Sequence, residues 1–380
     1  MKILLLGEYS GVHTHLCKAL KERKHEVLMI SNGDSYKSFN SDLNIDYKYL
    51  ISKNPYIKKI INIYYIFLMY SGLKGCIQIF KHIGLIKKLK NFDVVQLINP
   101  LFLADYGSIV NFFVFLYIKK NNKKVFLCAL GDDYYWVKYC LNGGFKYSIF
   151  NKLSLKTLRQ YLYPLHYIYG FFNPFLNKYI VKNVNAVIPG LYDYLQPYKS
   201  FKNCSEVIPI IVPIDSKEIN KLEFPVKIFH GWQPGKEFRK GNDIFDKAIK
   251  FCLEKYPDKI EYKIIGGVPY SEYIKTYDEC HIFIDQCYSQ DSGVNGLLGM
   301  ASGKVVLGGF ELEVQKMYGI NYMPMINCRP DIDQIVKSIE NLIVNHDDIL
   351  SFSKKAKKYM LDFHSEKYVL DLYEKVWVKS

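Results

Sequence analysis

HIFIDQCYSQDSGVNGLLGMASGKVVLGG, residues His281 to Gly309, decides how the chain is read. HIFID is apolar, carries β-branched residues and gives way to polar and glycine positions, which predicts a short buried strand. Gly293 to Ser302 predicts a helix, entered through the Asp291-Ser292-Gly293 turn and stopped by Gly303. Val305-Val306-Leu307 predicts a second buried strand, closed by Gly308-Gly309. Strand, loop, helix and strand form one βαβ unit of a parallel sheet. The helix start presents the amides of Gly293, Val294 and Asn295, and unpaired N–H groups at the positive end of a helix are a seat for phosphate. The alternative is a βα turn that binds nothing, because glycine also serves tight turns.

Outward from this unit, 380 residues are enough for two domains. With 49% hydrophobic and 23% charged residues the chain is globular rather than disordered. Its nine cysteines are scattered without a CxxC pair, which fits reduced thiols in a cytoplasmic protein. The longest apolar run, Ile60 to Leu73, is held between Lys59 and Lys74 and is too short to span a membrane, which needs ~20 residues. The net charge of +14 is unevenly placed: residues 51–192 hold 19 Lys and Arg but only Asp93, Asp105, Asp132 and Asp133 as acids. A basic, aromatic-rich half predicts a surface for anionic lipid or a phosphate-bearing partner; an ordinary lysine-rich solvated surface is the alternative. Within it, residues 56–90 contain no acid and predict two helices broken near Ser71-Gly72, whose Lys58-Lys59 and Lys87-Lys88 pairs flank apolar faces. Helices packed on the sheet with snorkelling lysines would give the same pattern. The aromatics follow buried elements and form no RNA motif, so no nucleic-acid partner is expected.

Taken in order, Lys2 to Gly7 predicts the first strand and His13 to Lys24 the first helix, with the loop Gly7-Glu8-Tyr9-Ser10-Gly11 between them. The loop lacks a full GxGxxG pattern, so a nicotinamide cofactor is not expected. Strands follow at His25–Ile30, Asp93–Ile98 and Lys124–Leu130, the last ending in Gly131-Asp132-Asp133. Polar residues just past a strand's carboxyl end stand where open α/β sheets bind ligands. Asp132 or Asp133 is placed to hold a substrate hydroxyl or act as a base, the alternative being an N-cap on the next helix. The pair is not a DxD motif and no metal constellation is present. Short strands are predicted at Ala186–Gly190 and Val207–Pro209, then a polar link from Ser216 to Glu223. The second half restarts with the strand Val226–Gly231, a loop carrying Lys236, Arg239, Lys240 and Gly241, and a helix from Asn242. The strand Tyr262–Ile265 ends at Gly266-Gly267, and Glu366 to Val378 predicts a last amphipathic helix.

Laid out this way, the sequence resembles the GT-B glycosyltransferases, in particular the large retaining group called family 4. GEYSGVHTHLCKALKERKHEVLMIS resembles the family's glycine loop, histidine, long helix and GHEV opening. PIDS at Pro213–Ser216 stands where the family has its NGVD segment. KIFHGWQPGKEFRKG is similar to the strand whose loop carries Arg and Lys-Gly for the donor diphosphate, and GLLGMASGKVV to the LEAMASGKPVV helix and strand. HSEKYVLDLYEKVW resembles the helix that crosses back onto the first domain. The resemblance implies an α/β fold of GT-B architecture: two Rossmann-like doubly wound domains facing a central cleft, an acceptor domain over 1–216 with 363–380 crossing back, and a donor domain over 217–362.

It also implies a nucleotide diphosphate sugar as co-substrate, with no further cofactor, and a glycan or lipid-linked acceptor in cell-surface polysaccharide synthesis. A cytoplasmic place with peripheral contact to the inner membrane face is expected. The donor-side residues would be Gly231, Lys236, Arg239, Lys240, Gly267, Val268, Gln290, Gly293, Val294 and Asn295. The acceptor-side loop would be Gly7, Ser10, Gly11 and His13, with Asp132 and Asp133 as catalytic candidates. Two departures stand out. The family's two glutamates eight residues apart are Gln290 and Leu298 here, and leucine cannot hydrogen-bond a ribose. The family histidine at the end of the first domain's strand is replaced by the Gly131-Asp132-Asp133 turn.

Overall fold

The computed structural model describes the chain apart from residues 33, 35–38, 216–223, 233, 234, 236 and 267–269 and the side chains of 270–272. Its residues fall into two compact units. The first takes in Met1–Tyr139, Tyr161–Ile211 and Val369–Ser380, the second Cys140–Gln160 and Val212–Tyr368.

The first unit is built on six parallel strands, β1 (Lys2–Leu6), β2 (Glu26–Ser31), β3 (Leu43–Asn44), β4 (Val94–Leu97), β5 (Lys124–Ala129) and β6 (Ala186–Pro189), in the order β3-β2-β1-β4-β5-β6. The strands read as continuous apolar runs because helices cover both faces of a parallel sheet. β1 pairs with β2 on one side and with β4 on the other, with Leu6 opposite Leu97. Strand order therefore reverses at β1, and the loops after β1 and β4 flank the switch point where such sheets bind ligands. The Glu366–Lys379 helix sends Val369, Leu370, Tyr373 and Trp377 into this unit's core beside Leu16, Leu20, Phe126 and Ile188. Arg23 pairs with Asp371 (2.6 Å) and Glu374 (3.1 Å) at its edge, and the Lys124 Nζ donates to the carbonyls of Trp377 and Val378 (2.9 Å each).

The second unit has five parallel strands, β7 (Val226–Gly231), β8 (Ile260–Ile265), β9 (Ile282–Ile284), β10 (Val305–Gly308) and β11 (Ile326–Asn327), in the order β11-β10-β9-β7-β8. Its switch point lies between β7 and β9, where His230 stands opposite Ile284. The opening stretch is as predicted: β9, the Val294–Ala301 helix and β10. Ile228, Phe245, Ile249, Ile284, Leu307 and Ile339 fill the core on one side.

Three local expectations change. Val207–Pro209 is not a strand: Ile208 donates to the Pro189 carbonyl (2.9 Å), but Pro209 has no N–H to continue a ladder. Residues 56–90 hold one long helix, Pro55–Ser71, ended by Gly72 at φ 78°, followed only by short turns at Gln78–His82 and Ile83–Ile86. The helices Leu162–Tyr169 and Asn173–Asn183 were not anticipated: the first is rich in aromatic residues with no clear polar face, and the second buries Asn173 and Asn177 beside Leu176, Ile180 and Val181, which blurs its period. The Ser216–Glu223 link lies outside the described residues. All nine cysteines are free, and among the described residues no helix is long and apolar enough to cross a membrane.

Candidate functional site

At the switch point of the first sheet, the loop after β1 is shaped by glycine. Gly7 sits at φ 83°, and a Cβ there would lie 2.5 Å from the Phe102 carbonyl oxygen, so no other residue fits. Gly11, at φ 87°, opens the Val12–Glu22 helix, and the Ser10 N–H donates to Asp34 (2.9 Å). His13 is fully buried with Nδ1 on the Gly7 carbonyl (2.7 Å), and burial pushes its pKa down to about 4. It is a neutral brace under the loop. Glu8, also buried, accepts the Thr14 N–H (2.7 Å) and hydroxyl (2.6 Å) through one oxygen, and burial raises its pKa.

The two aspartates after β5 do different things. Asp133 is wholly buried: Oδ1 accepts the Trp136 N–H (2.8 Å), as an N-cap does, and Oδ2 accepts the Tyr198 hydroxyl (2.6 Å). Burial raises its pKa to about 6. Asp132 shares its surroundings with Tyr9, Tyr167 and His166, since its charge bears on all three. The Tyr9 ring lies against Gly131, where a Cβ would come within 3.0 Å of it. Burial pushes the Tyr9 hydroxyl well up, helped by Tyr163, Asp34, Asp132 and Tyr194. His166, from the Leu162–Tyr169 helix, binds the Tyr163 carbonyl through Nδ1 and packs 4.1 Å from the Tyr167 ring centre. Burial pushes its pKa to about 4 against the pull of Asp132. A carboxylate among tyrosine rings and an imidazole offers apolar ring faces beside an acceptor for a hydroxyl.

At the switch point of the second sheet, His230 at the end of β7 is buried, bonded to the Asn242 amide through Nε2 (2.7 Å) and to the Tyr262 hydroxyl through Nδ1 (2.7 Å), and burial pushes it to about 4. Past Gly231, the Trp232 indole (3.1 Å) and the Gly235 N–H (3.0 Å) both donate to Glu237 Oε1. Arg239 is half-buried in the short Glu237–Lys240 helix. The Lys240 ammonium, 28% exposed, stands 3.1 Å from Asp285, which is 1% exposed. Its backbone carbonyl accepts the Cys287 N–H (2.9 Å), so main chain and side chain are both tied to the end of β9. The second Asp285 oxygen has no partner and faces the first turn of the Val294–Ala301 helix: a Cβ on Gly296 would be 2.8 Å from it and one on Gly293 3.2 Å. No side chain caps that helix. Lys240 and the first turn of that helix, at Gly293 and Gly296, therefore meet at Asp285.

Gln290 lies elsewhere. Its amide donates to the Tyr147 carbonyl (3.1 Å), and its own carbonyl accepts the Glu311 N–H (2.8 Å). Glu311 binds the Tyr147 hydroxyl and a bidentate Arg329 (2.9 and 2.6 Å), which holds its carboxyl down at about 2. Gln290 thus ties the 140–160 segment to this cluster. Leu298 is half-buried, and its carbonyl accepts the Tyr277 hydroxyl (3.0 Å). Lys236, Gly267 and Val268 lie outside the described residues.

No protein-family model and no curated protein sequence matches the chain. Solved structures do. HepE of Anabaena, solved with UDP and glucose, matches over the full length of both chains with a TM-score of 0.58 at 11% identity. Sucrose-phosphate synthase of Thermosynechococcus elongatus does so with a TM-score of 0.58 at 12%. One structure of TarM matches over 80% of this chain and 57% of that one, with a TM-score of 0.51 at 13%. All three are GT-B proteins. The chain has the GT-B fold. The GT-B assignment agrees with the strand order of each sheet and with the return of the last helix to the first unit.

Asp285 and the ring group Tyr9, Tyr163, Tyr167 and His166 were not anticipated in this GT-B chain. An acid closing the apolar run HIFID was a readable signal, because a charge at the end of a buried strand needs a partner. The ring group comes from separate elements, and only the fold assembles it.

The buried ionisable groups set a pH dependence. His13, His166 and His230 titrate near 4 when folded against 6.5 unfolded, so the unfolded chain binds more protons in that window. The stability they confer is present above pH 6.5 and lost as pH falls toward 4. Asp133, raised from 3.8 to about 6, acts the other way, its share being lost as pH rises through 6. Each shift is worth about 3 kcal/mol, so three histidines outweigh one aspartate. The expected result is a Tm that falls steadily between pH 6.5 and 4 in scanning calorimetry; a rising Tm would contradict it.

Proposed function

We propose that this protein is a glycosyltransferase that moves a sugar from a nucleotide diphosphate sugar to a saccharide acceptor. The observation that carries this reading is the Lys240 ammonium fixed beside the uncapped start of the Val294–Ala301 helix, at the switch point of the second sheet. Cleavage of the bond from the anomeric carbon to the diphosphate sends the electron pair to the leaving phosphate oxygen, and both groups place positive potential where that charge grows. The acceptor oxygen forms the new bond to the same carbon, and its proton passes to Asp132 or to the departing diphosphate. Arg239 is assigned to the same diphosphate, and the loop Gly7, Ser10, Gly11 with the rings around Asp132 to the acceptor. Retention of configuration and a place in cell-surface polysaccharide synthesis follow the resemblance to family 4, and a peripheral place on the inner membrane face follows the basic first half.

That HepE was solved with UDP, and in another structure with UDP-glucose, makes UDP the first probe. Calorimetry should show saturable UDP binding, and UDP at ~100 times its dissociation constant should stabilise the protein by ~2.7 kcal/mol. A panel of nucleotide sugars should then show release of the nucleoside diphosphate. Leu298 favours a second reading, a non-catalytic GT-B relative that binds nucleotide or glycan; nucleotide binding without any release would select it. No binding of any nucleoside diphosphate would remove both.

A further inference from the structure

None of the 17 residues of the Pro55–Ser71 helix is buried. Ile60 is 66% and Phe67 61% exposed, with Ile63 also outside. At the C-terminal end of this helix three more side chains project: Phe113, Phe175 and Phe171, the last 83% exposed. They stand together because Tyr70 accepts the Phe171 N–H on its carbonyl (2.7 Å) and Phe112 packs on Phe175 (5.5 Å). A ridge of this kind needs a cover. Its surroundings say which: residues 47–92 contain no acid and nine lysines, so the face complements a negative surface and repels a basic one.

The ridge is joined to the Asp132 group by a single element. The Tyr70 hydroxyl donates to the Leu162 carbonyl (2.9 Å), and its ring lies 6.4 Å from His166. The Leu162–Tyr169 helix thus meets the exposed helix through Leu162 and His166, and it supplies Tyr163, His166 and Tyr167 to the surroundings of Asp132 and Tyr9. Tyr163 and Tyr169, on the same helix, are exposed.

We propose that this face docks on an anionic bilayer and that the acceptor saccharide is carried on a lipid, its sugar reaching Asp132 along the Leu162–Tyr169 helix while its hydrocarbon remains in the membrane. The inference rests on the glycosyl-transfer reading and adds the class of acceptor; the transfer step is the one given above. An aliphatic and aromatic ridge supplies insertion, lysines supply attraction to the leaflet, and the shared helix brings the site to the membrane border.

The test uses the full-length protein with vesicles of phosphatidylcholine alone and with 30% phosphatidylglycerol. The wild type should sediment with the anionic vesicles and remain in solution with the neutral ones. A variant with Ile60→Gln, Ile63→Gln and Phe67→Gln removes only exposed side chains; it should bind at least tenfold more weakly while its UDP affinity is unchanged. Hydrogen exchange on the anionic vesicles should slow in 55–71 and in 162–175 together. Failure of the wild type to sediment, or equal sedimentation of the variant, overturns the docking. Slowing in 55–71 without 162–175 overturns the lipid-borne acceptor. Loss of UDP binding in the wild type would instead count against the glycosyltransferase reading, which the vesicle experiment does not probe.

Discussion

Asp132→Asn is expected to lower turnover by about two to four orders of magnitude, the usual range for removing a general base, while UDP affinity and Tm stay near the wild-type values. The substitution keeps the size of the side chain and removes its charge. Asp132 belongs to the Tyr9, His166 and Tyr167 group of the first unit, and under the proposed function its loss acts on the acceptor and not on the nucleotide. Asp133 provides the contrast. Asp133→Ala strands the Trp136 N–H and the Tyr198 hydroxyl, both bonded to its carboxylate, away from water. Each orphaned group costs about 1–3 kcal/mol, so the damage falls on Tm. Side-by-side kinetics and melting of the two variants separate the roles: wild-type turnover in Asp132→Asn would take that residue out of the mechanism.

How far the sequence carries toward this picture depends on the range of the forces involved. The His281–Gly309 stretch is legible because strand, helix and strand each bury an apolar run, and glycine marks each end. The last helix is legible as amphipathic for the same reason, since Val369, Leu370, Tyr373 and Trp377 follow a helical period, while its return to the first unit was implied only by the family resemblance. The residues around Asp132 are not. Tyr9, Asp132, His166 and Tyr194 come from four loops or helices, and nothing in their local spacing joins them. Sequence reading also treated Asp132 and Asp133 as equals. What separates them is Tyr198, 65 residues on, whose hydroxyl fixes one carboxylate and leaves its neighbour with the tyrosines. The sequence offered Gly293 as part of a seat for phosphate; with Gly296 it also gives room to the Asp285 carboxylate, because a side chain at either position would press on its free oxygen.

Asp285 shapes the second large effect, that of Lys240→Ala. Loss of charge-assisted hydrogen bonds of about 1.5–3 kcal/mol should weaken UDP binding roughly ten- to hundredfold. The same change leaves a buried carboxylate without its cation, which costs about 3–5 kcal/mol of stability, so Tm should fall as well. A drop in both would be ambiguous, and the pair itself resolves it. Replacing a buried ion pair by apolar residues of similar volume is often neutral. Lys240→Met with Asp285→Leu should therefore recover most of the lost Tm and none of the lost UDP affinity. Gly293→Val supplies an independent check at the other side of the seat, where its Cβ would come within 3.1 Å of the Gln286 amide and 3.2 Å of the Asp285 carboxylate. It should weaken UDP by crowding the helix start while Lys240 is intact. Melting of the three variants reads the Tm, and calorimetric titration of UDP reads the affinity. Wild-type affinity in the paired variant would mean that the ammonium holds Asp285 for the sake of the fold and that the diphosphate is bound elsewhere.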